Sequence, residues 1–235
     1  MQLLPKQSFI QSRRAADLLF VALICSFAFA GGRCVDLQKE YPEKRYFVLN
    51  VENQRPADGA ASPVIAESLK IGRFRVSPRF ANRGLVYRRS DVVYEADFYN
   101  EFLTGVADNT TEESRQWLAR SGVFSRVVDL TSQVPACYIL EAQINELYAD
   151  LRNQPASVIE IQFILLRYAD AVLFERTYPA RTAATSTDGE ALVVAHNRSL
   201  AEILSKLTDD LKQISLPGCD DDEAPAAKPP ATSSR

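Results

Sequence analysis

Residues 138–178, YILEAQINELYADLRNQPASVIEIQFILLRYADAVLFERTY, decide the fold. Tyr138, Leu140, Ala142 and Ile144 alternate with Ile139, Glu141, Gln143 and Asn145, the period of two that gives a strand one buried and one wet face. Asn153-Gln154-Pro155 turns the chain, and Ile159, Ile161, Phe163 and Leu165 then alternate with Glu160 and Gln162. A third run follows over 172–178. Parallel neighbours need a crossover of about a dozen residues or more, so strands joined by turns this short pair antiparallel. The stretch therefore predicts a three-stranded meander whose apolar face needs a cover.

The cover lies downstream. Thr187-x-x-Glu190 reads as a capping box, and Leu192, Val193, Leu200, Ile203, Leu204, Leu207, Leu211 and Ile214 form a helical stripe behind it, ended by Pro217-Gly218. Residues 217–235 read as an acidic, proline-rich tail. Its final sixteen residues (220–235, DDDEAPAAKPPATSSR) hold no large apolar side chain to repay ordering, and disorder is expected there.

Upstream, 46–51 alternates with Phe47, Leu49 and Val51 on one face, and 53–63 (NQRPADGAASP) reads as a loop. Residues 69–76 read as a strand whose alternation slips by one at Gly72, as at a bulge. Residues 85–87 and 92–94 are short strands joined by a polar turn. Phe98, Phe102 and Val106 share a helical face, and Thr110-x-x-Glu113 is expected to cap a second helix that carries Trp117 and Leu118 and stops at Gly122. A strand is expected over 124–128. The expected organisation is 1–30 export signal, 31–45 tether, 46–216 a single α/β domain and 217–235 tail.

The signal assignment rests on Lys6, Arg13 and Arg14 ahead of the apolar run 18–30 (LLFVALICSFAFA). That run is too short for a helix across a hydrocarbon core, which takes roughly 20 residues. Ala28-Phe29-Ala30 then has the form of a signal cleavage site. No second apolar stretch approaches a membrane span. Lys and Arg number 27 and Asp and Glu 30. The signal removes Lys6, Arg13, Arg14 and Asp17, leaving 24 against 29, or −5. This acidic balance argues against nucleic acid as a partner, because phosphate contacts need clustered cations.

Three cysteines follow the signal, Cys34, Cys137 and Cys219, with no Cys-x-x-Cys pair and no zinc spacing. In an oxidising compartment an odd count suggests one pair and one cysteine with another task. Cys137 at the start of the meander and Cys219 past the last helix are the candidate disulfide. Gly31-Gly32-Arg33-Cys34 makes Cys34 a candidate for acylation as in bacterial lipoproteins. Arg33 stands where that processing takes a small residue, so simple cleavage after Ala30 stays open. His196, the one histidine, sits near the apolar stripe of the last helix and reads as a packed residue. The polar strand positions Glu141, Asn145 and Glu160 read as a solvated face, and Asp220 to Glu223 as a solubilising run. Asn109-Thr110-Thr111 and Asn197-Arg198-Ser199 match a glycosylation sequon by chance. No phosphate loop and no Gly-x-Ser-x-Gly elbow is present, so neither catalytic residues, nor a cofactor, nor a metal site are expected.

The order of these features carries a resemblance: an early cysteine, Tyr46-Phe47-Val48-Leu49, the strand ending at Pro78, Gly84-Leu85-Val86-Tyr87-Arg88, Tyr94, then Ser121-Gly122-Val123-Phe124-Ser125-Arg126-Val127-Val128, paired amphipathic strands and a last helix. Over roughly 34–215 the chain resembles the ABC-type transport auxiliary lipoproteins, accessory proteins of MCE-type and paraquat-inducible lipid transport systems. The resemblance implies a twisted mixed sheet with helices packed on it. It also implies a non-enzymatic periplasmic role at the outer membrane in moving lipids or other hydrophobic solutes. The partners would be an MCE-domain protein and an ABC permease and ATPase, with homo-oligomerisation left open. A module for envelope assembly or cell-wall interaction that binds only protein is the alternative.

Overall fold

In the computed structural model, which describes residues 42–51, 63–167 and 171–218, the alternating run Tyr138–Asp150 is β7, the strand around which the sheet is organised. Ala156–Arg167 (β8) pairs antiparallel with it, and Ala171–Ala183 (β9) pairs antiparallel with β8. Asn145 is an extra residue between Ile144, opposite Ile161, and Glu146, opposite Glu160. The inward parity therefore changes from Ile144 to Leu147 and Ala149, all buried. The meander is the one the alternation predicts.

The other edge of β7 takes three short parallel strands in turn. Ile65–Ile71 (β2) lies at its start, Arg75–Val76 (β3) at its middle and Gly84–Arg88 (β4) at its end. Phe124–Asp129 (β6) extends the sheet beyond β2, in parallel. Tyr94–Phe102 (β5) pairs antiparallel with β4, and Arg45–Phe47 (β1) pairs parallel with β5. The expected slip at Gly72 is present: Ile71 faces Leu140 and Arg75 faces Gln143, so four steps on one strand match three on the other. The strand starts earlier than expected, at Ile65, and the slip divides it in two.

Helices Val106–Ser121 (α1) and Gly189–Gln213 (α2) cover one face of this curled sheet, α1 against β6 and α2, and α2 against β8 and β9. The result is a mixed α/β domain. The predicted stripe of α2 is buried from Leu192 to Leu211. Asp188 rather than Thr187 caps α2, its Oδ2 accepting from Glu190 N at 2.9 Å. Gly122 ends α1 at φ 70°, left-handed backbone that favours glycine. α2 stops at Gln213, ahead of Pro217. Tyr138 Oη donates to Pro217 O and Arg167 Nη2 donates to Gly218 O at 3.1 Å, so these two residues belong to the domain and not to a tail.

Two helical expectations fail. Phe98 and Phe102 lie on strand β5, where pairing to β4 and β1 overrides the four-residue apolar spacing. Thr110 and Glu113 do not cap a helix: α1 runs unbroken from its N-cap Gly105, with both residues buried inside it. Residues 48–51 explain what that part of α1 does. Alternation continues to Val51, yet only Arg45–Phe47 joins the ladder. Helix side chains take the ladder's place, satisfying buried backbone that strands would otherwise serve. With its amide turned so that both of its groups are paired, Asn109 accepts from Leu49 N at 2.8 Å and donates to Leu49 O at 3.1 Å. Val51 N donates to Glu113 Oε2 at 2.8 Å, and Asn50 N to Asn197 Oδ1 at 3.1 Å. Leu49 and Val51 are thereby held in the core. Both asparagines of the apparent sequons have this structural task. The tether boundary also moves, since Lys44 pairs with Glu101 and Arg45 opens β1.

Candidate functional site

His196 is 1% exposed. Its Nδ1 shares a 2.8 Å hydrogen bond with Ser157 Oγ, and Ser199 Oγ lies 2.9 Å from both Ser157 Oγ and Thr182 Oγ1. Burial pushes its pKa down to about 4. This chain of hydroxyls joins α2 to β8 and β9 and has no opening to solvent through the histidine, so the packed reading of His196 stands. Of the polar strand positions, Asn145 Nδ2 donates to Glu160 Oε1 at 3.1 Å, and Glu141 lies 4.0 Å from Arg75. No group of three or more His, Cys, Asp or Glu side chains among the described residues is placed to share a metal ion. Cys137 is disulfide-bonded. Cys34, Cys219 and the acidic run at 220–223 lie outside the described residues.

The surface that stands out includes Phe98, whose spacing predicts a helix, together with residues of the stretches 46–51 and 92–94 that read as strands. Eight of the twelve exposed large hydrophobic side chains among the described residues fall within 46–48 and 92–103. They belong to β1, β5, the residue just past each of these strands (Val48 and Leu103) and the turn of the β4–β5 hairpin. Its centre is a wide bulge in β5. Val86 pairs with Ala96 and Gly84 with Glu101, so β4 advances two residues while β5 advances five. The surplus carries Phe98 and Tyr99 out of the sheet.

Asp97 builds that bulge. Its Oδ1 accepts from Tyr99 N at 2.7 Å and Asn100 N at 3.1 Å, and its Oδ2 from Asn100 Nδ2 at 2.6 Å and Tyr87 Oη at 2.7 Å. Partial burial works against the charged carboxylate, but these donors together hold it below the usual range. Burial, and then the Asp97 charge, push the Tyr87 phenol well up. Gly84 is required where the bulge crosses: a Cβ there would come 2.5 Å from Asp97 O. Local hydrogen bonding thus holds Phe98 in water, 66% exposed, with Tyr99 edge-on at 5.2 Å.

Cations surround these rings. Lys44 Nζ sits 4.1 Å from the Phe98 centroid and 2.6 Å from Glu101 Oε1. Arg83 reaches Glu101 Oε2 at 3.1 Å and lies 6.0 Å from the Tyr46 ring. The two cations keep the Glu101 carboxyl low. Arg45 donates to Asn100 Oδ1 and to Asp188 Oδ1, both at 2.9 Å, tying the edge to the start of α2. At the far end of the hairpin, Tyr94, Phe80 and Tyr148 pack ring to ring at 5.4 to 6.4 Å, with Arg88 over Tyr94 at 5.6 Å.

Asp150 joins this edge to the meander. Its side chain, 3% exposed, accepts from Arg152 and from Arg181 at 2.9 Å, and Arg152 Nη1 reaches on to Asp91 at 2.5 Å in the hairpin turn. Arg152 first, against the cost of burial, holds the Asp150 carboxyl far below the ordinary range. The groove along α2, about 380 Å³ between Asn50, Val194, Asn197, Arg198 and Ala201, mixes amide, guanidinium and small apolar groups. Chemically, then, the edge offers aromatic rings and cations for contact.

No family model matches the sequence, and no curated protein is significantly similar. Solved structures share the fold. A Xanthomonas campestris protein of family DUF330 superposes with a TM-score of 0.61 at 17% identity, over 70% of this chain and 92% of its own. An uncharacterized protein gives 0.59 at 14%, over 72% and 99%. The PelC dodecamer subunit from Paraburkholderia phytofirmans is more distant, at 0.40 and 15%, over 65% and 93%. At these identities the first two establish the architecture.

Proposed function

We propose that this chain is a non-enzymatic accessory of an ABC-type, MCE-containing system that moves lipids or other hydrophobic solutes across a bacterial envelope. In this reading it is periplasmic, held at the outer membrane by an acylated Cys34, and works by presenting a surface to its partners. The observation that carries the reading is the concentration of exposed aromatic and aliphatic groups on one edge, since large apolar patches on soluble domains mark interaction sites. Three further features support it: the export pattern at 1–30, the missing phosphate loop, which leaves ATP hydrolysis to another protein, and the enclosure of His196. Among the described residues no helix is long and apolar enough to cross a membrane.

Affinity purification of the full chain from envelopes of its own host tests this. An MCE-domain protein and an ABC permease should co-purify, and mass spectrometry should find Cys34 acylated. Recovery with cell-wall or outer-membrane assembly proteins instead would support the alternative of a protein-binding assembly module.

A further inference from the structure

We infer that the edge formed by β1 and the β5 bulge docks on the interfacial zone of a phospholipid bilayer, with Phe98 and Tyr99 at headgroup depth. The inference deepens the proposed function, and rests on it for the attachment at Cys34. Among the described residues Lys44, Arg45 and Tyr46 make the first contacts of the chain, and they make them at this edge. Lys44 is ten steps along the chain from Cys34, a reach of at most about 35 Å when fully extended. An anchor at Cys34 therefore keeps β1, and with it Phe98, within that distance of the headgroups.

The chemistry of the edge matches that zone. Aromatic rings collect at membrane–water interfaces, and Lys and Arg stems lie along apolar surface while their charges stay wet. Here Lys44 covers Phe98 and Arg83 lies beside Tyr46, with Glu101 shared between the two cations. That triplet carries +1 on a chain whose overall charge is −3. A surface evolved only for solubility would not spend four acceptor contacts of Asp97 on holding a phenylalanine outward. Over β7 to β9 the polar positions include Glu141, Glu160 and Glu175, and among the described residues there the exposed large hydrophobic side chain is Val172, not an aromatic ring.

The test places a reporter on the edge. The mature chain, with a hexahistidine in place of residues 1–33, is held on vesicles of phosphatidylethanolamine and phosphatidylglycerol through nickel-chelating lipid. Phe98→Trp adds a tryptophan to the single native Trp117, which is partly buried and bonded to Thr208 at 3.0 Å and so supplies the background. Brominated acyl chains should quench the added emission at least two-fold, whereas Val172→Trp, at an exposed position on β9, should be unaffected. Equal quenching at both positions, or none at 98, overturns the inference. So would unquenched emission at 98 accompanied by a concentration-dependent dimer, which would assign the edge to a second copy. Because the histidine tether replaces the acyl group, failure to find acylated Cys34 in cells would count against the anchoring alone.

Discussion

The meander and the β1–β5 edge are built from similar residues by different means. In β7 to β8 the partners sit opposite one another, residue for residue, with one slip at Asn145. Position along the chain then dictates which side is buried, and the apolar residues of inward parity, from Tyr138 to Ala149 and from Ile159 to Leu165, lie in the core. At the edge, three strand residues end at Phe47 and a five-residue advance in β5 faces a two-residue advance in β4. There the conformation is set by side chains acting as backbone partners: Asp97 for the bulge, and Asn109, Glu113 and Asn197 for 48–51. A ladder conceals apolar groups by periodicity, whereas side-chain hubs can hold them in solvent.

Five measurements test this contrast. The largest effect is expected at the open end of the meander. Cys137 is disulfide-bonded, and the bonds from Tyr138 to Pro217 and from Arg167 to Gly218 bring the chain just before Cys219 to the start of β7. Peptide mapping without reduction should yield a Cys137–Cys219 peptide. Its reduction should cost about 4 kcal/mol on the chain-entropy account. A linkage of Cys137 to any other cysteine would contradict that assignment.

Acid should next loosen the meander from α2. His196 binds a proton only at about 4 when folded, against an ordinary value near 6.5 when unfolded. Its unfolded form therefore takes up protons first as pH falls. The stability it secures is full above about 6.5 and is lost towards 4, by about 3 kcal/mol in total. Denaturant titrations of wild type and His196→Gln between pH 7 and 4 should diverge in slope, the variant lacking this component.

Asp150→Ala cuts the link between the two regions. Arg152 and Arg181 remain partly solvated when freed, so the expected loss is about 2 kcal/mol. Because the Asp150 carboxyl is depressed, its contribution holds above the ordinary aspartate value near 3.9 and fades only in stronger acid. The pH window thus separates it from His196. A smaller change, of opposite sign, is expected in α1. Thr110 Oγ1 is buried and finds no partner among the described residues. Thr110→Val should raise the unfolding free energy by about 1 kcal/mol.

The sequence made the meander, the α2 stripe and the Gly72 slip legible because each is a periodicity or its interruption. The spacing of Phe98 to Phe102 and Val106 fits a helix, and the pairing of Asn100 to Phe102 with Arg45 to Phe47, about 55 residues earlier, leaves no local signal. Thr110 and Glu113 show the same limit: a capping pattern and a pair of buried helix positions look alike in sequence, and only residues 48–51 lying against them tell the two apart. Asp97-Phe98-Tyr99-Asn100 did carry a readable cue, an aspartate followed by potential amide donors, which suits a turn as well as a helix.

The rings of the edge are surplus to folding. Urea unfolding of the Phe98→Ser/Tyr99→Ser double variant tests it most directly. Exposed positions outside special features change stability by about 0.5 kcal/mol or less, and the account predicts a midpoint and slope within that margin of wild type. A loss of about 2 kcal/mol or more would show instead that Phe98 and Tyr99 belong to the fold.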